Sequence, residues 1–203
     1  MDALDGLWAA ACRTSRRRGA VAAIAPLPRL DEELFATLDL VMGSHEVGWH
    51  DVEDTLATYL WLLTSAETGE PGLHVYPSLS QTAAFVHSHR ARRDRDQACS
   101  LCPAGLRGHR AVDVTPDAEA VAVVRLVHAA HPPIAGTREM VLVYEWVMAT
   151  SRLHWYGDDR VYDDGTGAGR FLHQWRADLG LEDTDAVEDC VLCAHDHELL
   201  ETA

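Results

Sequence analysis

Cys99-Ser100-Leu101-Cys102 and Cys190-Val191-Leu192-Cys193 are two Cys-x-x-Cys pairs in one chain. Two such pairs supply four thiolates, enough to fill every corner of a tetrahedral metal site, and that donor set favours zinc. In a knuckle the two sulfurs of a pair lie on one side of a tight turn, with backbone N–H groups donating to them. Small residues after the second cysteine let such a turn form, and Pro103-Ala104-Gly105 suits that role. The expected ligands of Zn2+ are therefore Cys99, Cys102, Cys190 and Cys193, closing the fold as a four-cysteine site.

Histidines beside each pair keep other ligand sets open. His87 and His89 precede the first pair, and His195 and His197 follow the second, so two mixed sites, His87/His89/Cys99/Cys102 and Cys190/Cys193/His195/His197, are alternatives. Against them, residues i and i+2 of a helix point about 200° apart; extended backbone removes that objection. A further alternative is that Cys190 and Cys193 pack as small hydrophobes. The order of a knuckle followed later by a Cys pair at a helix start resembles treble-clef and zinc-ribbon-like modules over the ligand segments alone. That resemblance implies a zinc closure, with the helices between Cys102 and Cys190 as an insertion.

Catalytic patterns fare poorly. His45-Glu46 with His50 is one residue too long for His-Glu-x-x-His, leaving the second imidazole some 140° off the first on a helix. A zinc deaminase needs a Glu near the ligand His and a proline before the Cys pair, whereas Pro103 follows it. Tyr156-Gly157-Asp158-Asp159 matches a polymerase metal turn without the other polymerase motifs, and with Asp163 and Asp164 reads as a solvated acidic loop. The chain has no lysine, hence no phosphate-binding loop with lysine, and it has no Gly-x-Ser-x-Gly elbow.

The formal net charge is −15, which repels nucleic acid unless cations gather on one face. They do gather in sequence: Arg90, Arg92, Arg93, Arg95, Arg107 and Arg110 flank the first Cys pair. They form a candidate surface for a protein partner or nucleic acid, unless they neutralise the protein's own acids. Nothing in the chain reads as a secretory signal or bilayer span, which predicts a cytoplasmic protein whose paired cysteines bind metal rather than form disulfides.

The elements that must position these groups read as mainly α. Apolar periodicity predicts helices over 3–25, from Asp31 through Met42 to a stop at Gly43, from Asp51, from Ser78 or Ser80 through Val86, over 117–130 and 137–153, and from Arg170 to Leu179 before Gly180. Valine-rich stretches at Val121 to Val127 and Val141 to Tyr144 leave a strand alternative, and at most a small β element is expected. No internal repeat stands out beyond the Cys pairs. The expected organisation is an N-terminal helical bundle over 1–86 and a zinc-stabilised, mainly helical region over 87–203.

The functional expectation is a zinc-binding, non-enzymatic interaction or regulatory protein, with the arginines as its candidate nucleic-acid contact. One alternative is a metal-dependent enzyme using Cys/His-bound zinc with a carboxylate such as Asp196 or Glu198. Another is an acidic inhibitor or immunity-type protein meeting a basic partner through residues 158–201.

Overall fold

The computed structural model describes residues 31–47, 51–68, 74–93, 101, 114–153, 160–162, 164–182 and 190–193. The helix expected over 3–25 lies outside these. The described chain is mainly helical, with two short antiparallel hairpins.

α1 (Glu32–Ser44) starts where Asp31 accepts a hydrogen bond from the Glu33 N–H at 2.9 Å, satisfying one of the orphan donors of a first turn. Its buried face is the apolar stripe of its sequence, Leu34, Phe35, Leu38, Val41 and Met42. α2 (Val52–Ser65) buries Val52, Leu56, Tyr59 and Leu62, whereas Leu60 and Leu63, which continue the apolar stripe in the sequence, are only half-buried. The inward face is rotated because Asp54, Thr55 and Thr58 are buried too. β1 (Glu67–Thr68) pairs with β2 (His74–Val75), Glu67 opposite Val75.

α3 (Leu79–Ala91) opens with a reciprocal capping box between Ser78 and Gln81. It runs five residues past the expected stop at Val86, because His89 and Arg90 find buried partners. α1, α2 and α3 pack pairwise against one another.

α4 (Ala118–Ala130) is capped by Asp117, which accepts from the N–H groups of Glu119 and Ala120. Val121, Val124 and Val127 are buried while Ala122 and Leu126 are exposed, a helical period that overturns the strand alternative. α5 (Thr137–Thr150) likewise makes Val141 to Tyr144 helical. β3 (Arg152–Leu153) pairs with β4 (Arg160–Val161). α6 (Thr166–Asp178) starts four residues before the expected Arg170, at an N-terminus where Asp164 accepts from the Thr166 N–H. It ends as expected at Gly180, whose φ of 67° places the Gly180 N–H on the Ala177 carbonyl and the Leu181 N–H on the Arg176 carbonyl.

Two compact units divide the chain. One comprises Leu30–Val121 with Ala135–Val141; the other includes Ala122–Ile134 and the described residues after Leu142. The core of the first is built on Phe35, Leu38, Leu56, Tyr59 and Phe85, and that of the second on Val124, Val127, Val147, Leu172 and Trp175.

Contrary to the expectation of no repeat, the element order recurs. α1-α2-β1-β2-α3 and α4-α5-β3-β4-α6 have helices of 13, 14 and 13 residues in each copy. Asp31/Asp117, Val41/Val127, His45/His131, Tyr76/Tyr162, Phe85/Phe171, His87/His173 and Arg90/Arg176 are each 86 residues apart. The copies share a packing detail: Trp61 stacks on Phe85 at 4.9 Å, and Trp146 on Phe171 at 5.8 Å.

Candidate metal centre

His131 sits one residue beyond the end of α4, where Pro132 forbids further helix. Its Nδ1 lies 2.8 Å from the Val127 carbonyl. A carbonyl only accepts, so Nδ1 carries the proton and Nε2 is left as a bare lone pair. His173, inside α6, is held the same way: its Nδ1 is 2.9 Å from Glu182 Oε2, a carboxylate. Glu182 is in turn 3.9 Å from Arg176 Nη1, while Arg176 Nη2 donates to the Pro132 carbonyl at 2.8 Å. One acid–base pair thus ties the two histidine-bearing segments together.

Cys190 and Cys193 occupy a tight turn closed by the Cys193 N–H on the Cys190 carbonyl at 3.0 Å, and Arg170 donates to the Cys193 carbonyl at 3.1 Å. Gly169 makes room for them; a β-carbon there would sit 2.8 Å from Cys193 Sγ and 3.2 Å from His131 Cε1.

Four donors converge. His131 Nε2 is 2.8 Å from His173 Nε2, 2.7 Å from Cys190 Sγ and 3.8 Å from Cys193 Sγ. One donor atom from each of the four residues lies within 4.8 Å of the others, so the buried set is close enough to hold a metal ion. With both Nδ1 atoms protonated, the two Nε2 lone pairs face each other, an arrangement that is repulsive unless a cation or proton lies between them. Zinc–nitrogen and zinc–sulfur bonds in a tetrahedron separate donors by about 3.3–3.8 Å, so the cluster need open by less than about 1 Å to admit the ion.

The electrostatics fit ligands waiting for a cation. Burial, reinforced by the neighbouring Cys190 sulfur, pushes the Cys193 thiol up to about 12. Burial likewise holds His131 below the usual imidazole value, keeping it in the neutral form that ligates. The thiol gives up its proton only to a strong positive charge.

Cys190 and Cys193 are brought together with two histidines that the sequence reading did not single out, His131 and His173. Cys99, Cys102, His195, His197, Arg95, Arg107 and Arg110 lie outside the described residues. His87 is half-buried, its ring 4.6 Å from that of His45. His89 is buried, with Nε2 3.4 Å from Asp54 Oδ1. Arg90 is only 5% exposed, 3.7 Å from Asp54 and donating to the His45 carbonyl. Arg93 pairs with Glu53 and lies 3.6 Å from Asp54. Arg92 alone of the described three is exposed. Arg90 and Arg93 therefore serve as counter-charges for acids of α2, not as free surface. The signal that would have found His131 and His173 is the 86-residue register with His45 and His87.

No family model matches the chain, and neither a curated protein nor a solved structure does. Among the described residues no helix is long and apolar enough to cross a membrane.

Proposed function

We propose that the chain is a zinc-binding, non-enzymatic interaction protein in which His131, His173, Cys190 and Cys193 form a structural centre closed by the Cys190–Cys193 knuckle. The observation that carries this reading is the approach of two imidazole Nε2 atoms to 2.8 Å with Cys190 Sγ alongside, each imidazole oriented by a hydrogen-bond acceptor at Nδ1. Two nitrogens and two sulfurs suit zinc better than calcium or magnesium, which take oxygen.

A structural role is favoured over catalysis because four protein donors leave no corner for water, and the four residues are at most 8% exposed. A reducing cytoplasm suits such thiols. Protein partners are favoured over nucleic acid, since Arg90 and Arg93 are committed to α2 acids and the net charge is −15.

Metal analysis of the purified chain, read beside thermal unfolding before and after chelation, tests this. Zinc bound by the chain and a melting midpoint that falls when it is stripped and recovers on re-addition are the expected results. A cooperatively folded chain that takes up no zinc, or whose midpoint ignores its removal, rules the reading out.

A further inference from the structure

We propose that Cys190 and Cys193 are an oxidation site as well as a ligand pair: a peroxide joins their sulfurs in a disulfide, and the centre releases its metal. The proposal rests on reading His131, His173, Cys190 and Cys193 as that centre.

Both cysteines lie in one four-residue turn, closed by the Cys193 N–H on the Cys190 carbonyl at 3.0 Å. Such a turn brings its first and last Cα atoms to within about 7 Å, which overlaps the roughly 4.4–6.8 Å that a disulfide bridges. The two sulfurs lie within 4.8 Å of each other. Side-chain rotation therefore closes the gap to a sulfur–sulfur bond of about 2 Å, and the backbone turn stays as it is. Among the described residues these two are the cysteines, both unbridged, so each sulfur has the other as its near partner.

Access is graded across the site. Cys193 is 0% exposed and His131 and His173 are each 4% exposed, whereas Cys190 is 8% exposed and its neighbour Val191 is 79% exposed. The knuckle meets solvent at its Cys190 end, and an oxidant reaches Cys190 before the other donors. Cys193, behind it, stands where a resolving thiol stands, the arrangement that carries a sulfenic acid on to a disulfide and away from irreversible acids.

The chemistry balances with hydrogen peroxide as oxidant. A bound metal holds both sulfurs as thiolates, the form that attacks peroxide. Cys190 Sγ attacks one peroxide oxygen: a sulfur–oxygen bond forms, the oxygen–oxygen bond breaks and hydroxide leaves, so the sulfur is oxidised by two electrons and the peroxide reduced. Cys193 Sγ then attacks Cys190 Sγ, forming the sulfur–sulfur bond and expelling the second oxygen as hydroxide. Two protons from solvent turn both hydroxides into water. A dithiol reductant reverses the change by thiol–disulfide exchange and is itself oxidised to a disulfide. With every sulfur of the site in this one pair, a single oxidation removes both anionic ligands and leaves two neutral imidazoles, too few donors for a structural zinc. A four-cysteine site would keep two thiolates after the same event.

The full-length, zinc-loaded chain treated with one equivalent of hydrogen peroxide tests the proposal. Released zinc is followed with a chromophoric chelator, and the peptide containing Cys190 and Cys193 is weighed by mass spectrometry. Zinc release in step with a peptide lighter by two hydrogen atoms is expected, with zinc binding restored by dithiothreitol and fresh zinc. Zinc retained, whether or not that disulfide forms, overturns the proposal and leaves zinc binding by the chain standing. So does zinc release in which the peptide gains oxygen atoms or Cys190 is bridged to Cys12, Cys99 or Cys102. A chain that holds no zinc before peroxide is added removes the centre and this proposal together.

Discussion

Glu182 touches none of the four donors' reacting atoms, yet it decides which nitrogen of His173 is available. Replacing it with Gln keeps the shape but removes the charge that favours the Nδ1–H tautomer and anchors Arg176. Such orienting partners are worth about 10- to 100-fold in metal affinity. Glu182→Gln is expected to weaken zinc binding by that factor in competition with a chromophoric chelator, with the folded, zinc-saturated chain retaining its helical circular dichroism. Unchanged affinity would mean that the ring is fixed by packing alone. Gly169 gives a steric counterpart. An alanine there pushes a methyl against Cys193 Sγ and His131 Cε1, so Gly169→Ala should also loosen zinc, through crowding that costs about 1–3 kcal/mol. The cysteines of this centre were legible from spacing alone. Its histidines were not, because a lone imidazole at the end of an apolar helix looks like any buried polar side chain until its counterpart 86 residues away is seen.

The helices were set by their ends as much as by their stripes. Ser78 and Gln81 satisfy each other's backbone donors, so Ser78→Ala should cost about 1 kcal/mol of unfolding free energy in urea titrations of the metal-loaded chain. Gly180 is the opposite kind of position: a β-carbon there meets nothing within 4 Å, so Gly180→Ala should cost only the backbone penalty of the left-handed conformation, about 1–2 kcal/mol. A markedly larger loss at either site would place a tertiary contact where the geometry shows a local one. Capping signals are also why the valine-rich runs form helices. Asp117 commits the backbone before Val121 is reached, and the buried positions then follow a period that a strand could not produce. The hairpins, two residues per strand, are too short to leave a pattern. The repeat is faint in the sequence for a related reason: the copies keep their element lengths and a few side chains, while most core positions exchange one apolar residue for another, as Leu38 does for Val124 and Val86 for Leu172.

For the molecule as a whole, a net charge of −15 means that folding must contend with self-repulsion, and each buried acid needs its own cation nearby. Asp54, 1% exposed, is the sharpest case. Its oxygens make no hydrogen bond of ordinary geometry among the described residues, and they lie 3.4 Å from His89, 3.7 Å from Arg90 and 3.6 Å from Arg93. Burial pushes its pKa up, but His89 and the two guanidinium groups more than offset this, so the carboxyl is held below its ordinary value. A carboxylate with a depressed folded pKa contributes stability that is fully present above the unfolded value near about 4, and loses it as the pH falls through the folded one. The acid limb of the stability curve should therefore carry an Asp54 component that begins below about pH 4. Asp54→Asn removes it at every pH, and because Arg90 is then buried without its counter-charge, the variant should be about 3 kcal/mol less stable at neutral pH. Protonation of the proposed metal ligands is common to both proteins, so the difference between their curves reports Asp54 and the groups that face it. That difference should shrink below about pH 4; a difference that instead grows there would mean that Asp54 is protonated in the native state.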